Sequence, residues 1–253
     1  MSSAPTYDPA ACRVGITPGH AVLHVELWHP NWGSAATDAL RRSLFGADGP
    51  AGGSAPDVSA AHRMLDEALG AGRAAGWLGR VTVTDHSPGH SVGMAELQDR
   101  VERMAQDAVG ADGRPAYAVL NAGQGATRRT ARVVLPLSPT VAPGCDLHVP
   151  VTLGTDPVAS SDLTMAQIED RSAAVREALA DTVDENNAGI LAVTEFRSGA
   201  DTMHFYLDST APAVMDRSVL NTLRAVASAW QYGDTVVDEE DDPGWDAVRA
   251  YRV

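Results

Sequence analysis

Gly89-His90-Ser91-Val92-Gly93 is a G-x-S-x-G pentapeptide between a strand-like and a helix-like stretch, the arrangement that exposes a serine nucleophile on a sharp turn. Such an elbow needs the strand to enter the turn directly, yet Asp85-His86-Ser87-Pro88 intervene, and Pro88 cannot continue a central strand. A triad would also need an acid and then a histidine downstream, leaving His148 or His204. The pentapeptide is therefore expected to be a glycine-rich loop with Ser91 as N-cap of a helix starting near Val92. Its catalytic alternative uses Ser91 as nucleophile beside His90.

A second group of chemically able residues is His20, His24 and His29 around one strand, and Asp85, His86 and His90 after another. If those strands are neighbours, His24, Glu26, His86 and His90 converge, and imidazoles with a carboxylate are ordinary zinc or iron ligands. No H-x-H or H-E-x-x-H spacing accompanies them, so scattered loop and edge histidines are the favoured reading. No metal or other cofactor is expected. The run Asp238-Glu239-Glu240-Asp241-Asp242 lacks the alternation and glycine of a calcium loop and reads as a solvated edge. Its functional reading is a docking surface for a basic partner through Asp241 and Asp242, with Trp245 as apolar anchor. Arg128, Arg129 and Arg132 follow the glycine-rich stretch Asn121 to Thr127, where backbone amides would cradle a phosphate, but a solvent-exposed hairpin turn is favoured. Trp28, Trp32 and Trp77 are expected in core packing ahead of a ligand pocket.

Composition narrows these choices. All 19 basic residues are arginine, which removes Schiff-base, Walker-A and general-base lysine chemistry. With 33 acidic residues the net charge is −14, which disfavours nucleic acid, whose binding rests on phosphate neutralisation. No apolar run approaches the ~20 residues that span a bilayer, and the N-terminus lacks a signal-like pattern, so a cytoplasmic protein without membrane association is expected. Cys12 and Cys145 are then two thiols.

The elements that must position these residues follow from periodicity. Leu23, Val25 and Leu27 alternate with polar neighbours as a strand, and Ala35 to Phe45 carries apolar residues at helical spacing behind a Ser34 cap. After a Gly/Pro-rich loop over Ala47 to Pro56 come a helix from Val58 to Ala71, a strand from Arg80 to Thr84 and a helix from Val92 to Val109. Ala111 to Pro115 is the best boundary, giving an N-terminal α/β domain over 1–112 and a second domain over 113–253. A hairpin, Ala116 to Leu120 with Thr130 to Leu137, opens the second domain. Then follow a strand (Leu147 to Leu153), a helix (Thr164 to Val183) capped from among Ser161, Asp162 and Thr164, a hairpin (Ile190 to Arg197, Thr202 to Leu207), a helix (Val214 to Ala229) and a strand (Asp234 to Asp238). This βαββαβ order is that of a ferredoxin-like fold, so the chain is expected to be α+β.

Ser161-Asp162-Leu163, Ile168-Glu169, Thr194-Glu195-Phe196-Arg197-Ser198-Gly199, His204-Phe205-Tyr206 and Asp242-Pro243-Gly244-Trp245 occur in the order and spacing of a known family. From about Pro115 to Val253 the chain resembles domain-of-unknown-function family 695, a relative of the bacterial regulator of ribonuclease activity B. Asp201 and Thr202 stand where that family often has an arginine, and Val248 where it has an aromatic residue. The resemblance supplies no catalytic residues. It implies an acidic regulatory or interaction protein that binds another protein through acidic and sheet surfaces, with a homodimer also open. The alternative is an enzyme, a hydrolase or a metal-dependent one, with its site around His24, Glu26, His86, His90 and Ser91.

Overall fold

The computed structural model describes residues 8–19, 21–30, 32, 58–110, 115–123, 129–197 and 199–252. Two units are resolved in it, Met1–Asp112 and Gly113–Arg252. The expected helix over 35–45, the loop over 47–56, His20 and Arg128 lie outside the described residues.

In the N-terminal unit, β1 (Arg13–Pro18) and β2 (Leu23–Trp28) form an antiparallel hairpin. Helices α1 (Val58–Leu69) and α2 (Arg73–Trp77) precede β3 (Leu78–Val83), which runs parallel to β2. The short β4 (Ser91–Gly93) pairs antiparallel with β1 and leads into α3 (Met94–Asp107), completing the order β3-β2-β1-β4. Val14, Val25, Leu27, Leu65, Leu97 and Val101 are buried, and the last two lie four residues apart on one face of α3. Trp32 and Trp77 are buried with them, as core packing requires. β1 has no counterpart in the periodicity reading, because Gly15 and Pro18 obscure a strand of only six residues.

The C-terminal unit is α+β on a single antiparallel sheet. Its strands are β5 (Tyr117–Ala122), β6 (Arg129–Val134), β7 (Cys145–Gly154), β8 (Gly189–Arg197), β9 (Ala200–Asp208), β10 (Thr235–Val237) and β11 (Glu240–Asp241). Six of them run in the order β10-β7-β9-β8-β6-β5, and β11 pairs with β7 beside β10. Between β7 and β8 lies α4 (Met165–Glu185), begun by a capping box in which Thr164 and Gln167 satisfy each other's backbone amides. The expected helix over 214–229 is two helices, α5 (Pro212–Met215) and α6 (Ser218–Ser228). Arg217 breaks them at φ 63°, and the Asp216 carboxylate accepts from the Ser218 amide at 2.9 Å.

Two cores lie on the two faces of this sheet. Val149, Val151, Leu153, Met203, Phe205 and Leu207 meet the apolar faces of α4 and α6. On the opposite face, Ala131, Val133, Val193 and Tyr206 are covered by Trp245 and Val248 of the C-terminal segment, where a 3-10 turn runs over Asp246–Tyr251. A register shift between Leu191 and Val193 decides which residues of β8 reach which core. Leu191 faces the helices opposite Phe205, whereas Val193 sits opposite His204, so the bulged Ala192 turns Val193 and Glu195 onto the second face.

Candidate functional site

The N-terminal candidates do not converge. β2 and β3 are neighbours, but their pairing is parallel, Leu23 opposite Leu78 and Leu27 opposite Val83. His24 therefore lies near one end of the pair, and Asp85 and His86 lie past the other. His24 Nδ1 accepts from the Arg80 amide at 3.0 Å, and a Cβ at Gly79 would meet its ring at 2.8 Å, so the imidazole is packed onto β3. His86 Nδ1 bonds to Asp85 at 2.7 Å with its side chain 80% exposed, and His90 is exposed.

Glu26 and Ser91 do share a face, since both are paired with Gly15 of the intervening β1. They are two strand spacings of about 4.8 Å apart, and Pro88 packs on Gly15, where a Cβ would stand 3.0 Å from its own. The Ser91 hydroxyl meets Ser87 Oγ at 3.4 Å and, among the described residues, no imidazole that could serve as the base a nucleophile needs. Nor is Ser91 an N-cap: it is a strand residue, and the helix starts three residues later, at Met94, behind Gly93, which has no side chain to offer. Among the described residues, no three His, Cys, Asp or Glu groups come together in a way that would hold a metal ion.

The C-terminal unit gathers a denser set of polar groups on its second sheet face. Glu240 of β11 is paired with His148 of β7, which is paired with Tyr206 of β9. His148 Nδ1 lies 2.8 Å from Glu240 Oε1, which fixes a proton on Nδ1, and its Nε2 lies 3.0 Å from His204 Nδ1. The two imidazoles thus share one proton between their facing nitrogens. His204 Nε2 is buried and has no hydrogen-bond partner among the described residues, and burial, then the neighbouring His148, lowers the His204 pKa to about 4. Glu195 is buried on the same face. Arg197 Nη2 donates to it at 2.7 Å, Tyr251 donates its hydroxyl, and Arg129 lies 3.7 Å away. Burial raises the Glu195 pKa, but those donors outweigh it and hold the carboxylate below its usual range.

Tyr206 donates to Asp242 Oδ2 at 2.6 Å and stacks on Trp245 with ring centroids 4.2 Å apart. Asp242 also accepts from the amides of Asp246 at 2.8 Å and Ala247 at 2.9 Å, and Trp245 Nε1 donates to the Cys145 carbonyl at 2.9 Å. Burial disfavours the Asp242 charge, yet the phenol and the two amides keep its pKa below normal, while burial and Asp242 push the Tyr206 phenol up. Asp242 and Trp245 are hence inward-facing and offer no surface to a partner. This corrects the docking role expected of them, because the segment's bonding needs are met inside the fold. Asp241, on the β11 edge, is exposed. Chemically this face holds a neutral imidazole, a protonated phenol and a buried thiol whose pKa burial raises to about 11. Its bonds fasten the C-terminal turn to the sheet.

This unit also carries an open cleft of about 780 Å³ between the 155–164 loop, the first turns of α4 and the β8–β9 hairpin. Leu163, Ile168 and Phe196 form its apolar part. Arg176 lies 4.8 Å above the Phe196 ring and bonds to Asp201 at 3.3 Å, and Ser172 donates to the same carboxylate. These charges neutralise each other and leave a preorganised wall.

Comparison with protein-family models, curated proteins and solved structures returns no match in any of the three.

The expected arginine cluster is dispersed: three positions apart on β6, Arg129 and Arg132 point to opposite faces. Arg129 turns to Glu195, and Arg132 lies 4.2 Å over the Tyr117 ring. What residue-type reasoning missed is the column His148–His204 with Tyr206–Asp242. Its visible signal was the alternation His204-x-Tyr206 through the apolar Met203, Phe205 and Leu207, two polar rings on one strand face.

Proposed function

We propose that the chain is a cytoplasmic interaction protein that acts by binding another protein, with a ferredoxin-like C-terminal domain akin to family 695. The order β10-β7-β9-β8, with α4 and α6 as its two connections, supports the ferredoxin-like reading. Support for a cytoplasmic location comes from two free, buried cysteines and from the lack, among the described residues, of any helix long and apolar enough to cross a membrane.

The observation that carries the binding role is the internal bonding of the C-terminal polar network. His148, Glu195, Tyr206 and Asp242 are each buried and occupied with one another's neighbours, so the densest polar cluster is a fastening. What this unit turns outward is sheet edge, acidic surface and a charge-neutral cleft, which suits recognition better than bond-making. The intact chain is expected to capture a partner that high salt releases, as electrostatic association does. Labelling of Ser91 by a fluorophosphonate, or metal bound in stoichiometric amount after purification, would overturn the reading in favour of an enzyme.

A further inference from the structure

The cleft of about 780 Å³ beside α4 has the size of a pocket for a small organic molecule. Its walls are tied in place. The Thr155 amide donates to the Gly199 carbonyl at 2.8 Å, the Asp156 amide to the Tyr232 carbonyl at 2.7 Å, and Ser160 Oγ to the Asp156 carbonyl at 2.7 Å. With the Thr164–Gln167 capping box, these bonds hold the 155–164 loop against α4 and the β8–β9 hairpin, so little ordering is left for binding to oppose. Leu163, Ile168 and half-buried Phe196 form the apolar part, and Met165, which also lines the cleft, is 76% exposed at the start of α4. A large apolar side chain held in water beside an apolar pocket gains by being covered.

Charge decides what fits there. The charged residues of the lining are Glu169, Arg176, Arg197 and Asp201, two of each sign. Arg197 donates to Glu195 at 2.7 Å, and Glu169 is exposed. Ser172, only 3% exposed, and Arg176 Nη1, at 3.3 Å, both donate to Asp201 Oδ2. Among the described residues, Asp201 Oδ1 and Arg176 Nε and Nη2 make no side-chain hydrogen bond of their own. A spare acceptor thus stands beside spare donors, with the guanidinium 4.8 Å over the Phe196 ring. An anion here would be repelled by Asp201 and a cation by Arg176, whereas the N–H and C=O of an amide satisfy both. We propose that the cleft binds an uncharged, largely apolar small molecule bearing an amide or lactam group. Its N–H donates to Asp201, its carbonyl accepts from Arg176, and its apolar body lies on Leu163, Met165 and Ile168. This site goes beyond the interaction reading and stands without it.

The test uses the intact chain with labelled methionine and isoleucine methyl groups and follows their NMR shifts as benzamide is added. Saturable shifts are expected at Met165 and Ile168. N,N-dimethylbenzamide, which lacks the N–H, is expected to bind about tenfold more weakly, and Asp201→Ala and Arg176→Met are expected to weaken benzamide to a similar degree. Should Asp201→Ala leave Ser172 unpaired and disturb folding, Asp201→Asn keeps the side chain's shape, sets an N–H where the ligand needs an acceptor, and is expected to weaken binding in the same direction. No saturable shift at these methyls, equal binding of the dimethyl compound, or tighter binding of benzoate or benzamidine would each overturn the proposal. So would a protein partner that shifts the same methyls and is lost in Arg176→Met, since a protein segment would then own the cleft and the interaction reading would stand. Failure of benzamide beside a partner that high salt releases removes this site alone, and absence of any such partner beside benzamide binding removes the interaction reading alone.

Discussion

At the residue scale, Asp242 shows how one carboxylate can hold together a chain end. It accepts hydrogen bonds from the Tyr206 phenol of β9 and from two amides of its own turn, and removing any one donor leaves a buried carboxylate undersatisfied. Tyr206→Phe is expected to destabilise the protein by about 1–3 kcal/mol in urea unfolding, because the buried carboxylate then lacks a donor. His204 makes stability depend on pH. Its folded pKa is about 4 against 6.5 for the free side chain, so between those values the unfolded chain binds a proton that the folded one does not. Stability is therefore full above pH 6.5 and falls as the pH drops toward 4, and His204→Phe should flatten that slope in urea titrations across the same window. Burial also pushes the thiols of Cys12 and Cys145 up to about 11, so both should resist a thiol reagent at neutral pH until the protein unfolds.

At the scale of elements, the bulge at Ala192 and the close approach at Gly189 set the geometry of β8. A Cβ at Gly189 would stand 2.0 Å from the Tyr206 carbonyl oxygen, a backbone atom of the neighbouring strand that cannot swing aside. Gly189→Ala should cost several kcal/mol in chemical denaturation, toward the upper end of overpacking effects. Its control, Gly199→Ala, has open space around it but a φ of 86°, so it should cost only about 1 kcal/mol. Deleting Ala192 would take out the bulge and leave Val193 and Glu195 on the second face, opposite His204 and Thr202, because Val193 would then follow Leu191 directly in a regular ladder. Strand alternation alone cannot foretell this, since the sequence around Ala192 reads as one uninterrupted strand.

For the whole molecule, acidity works in two directions. The excess of carboxylates favours solubility and repels polyanions, yet several of those carboxylates are tied into the native state. Hydrogen bonds from Ser209 lower the pKa of Asp146, and bonds from Arg217 and Arg224 lower that of Glu239. Their contribution is present above the unfolded carboxylate range and is lost as pH falls through the lowered values, the same direction as for His204. The melting temperature should therefore decline steadily from neutral to acid pH, with no stability maximum near the sequence pI of 4.8, as calorimetry over that range would show.

The sequence by itself determined most elements, because periodicity depends on near neighbours. Alternation marked β2, β7 and β9, helical spacing marked α1, α3 and α4, and the cap of α4 was narrowed to Ser161, Asp162 or Thr164, of which the structure uses Thr164. The absence of lysine and the net charge narrowed the chemistry before any fold was known. Only the tertiary structure decided that the parallel pairing of β2 and β3 separates His24 from His86, and that a bulge brings Glu195 to the His148–His204 face. It also decided that Asp242 and Trp245 lie inside. Strand direction, register shift and the cover of a sheet face all depend on residues far apart in the chain, and no local pattern encodes them.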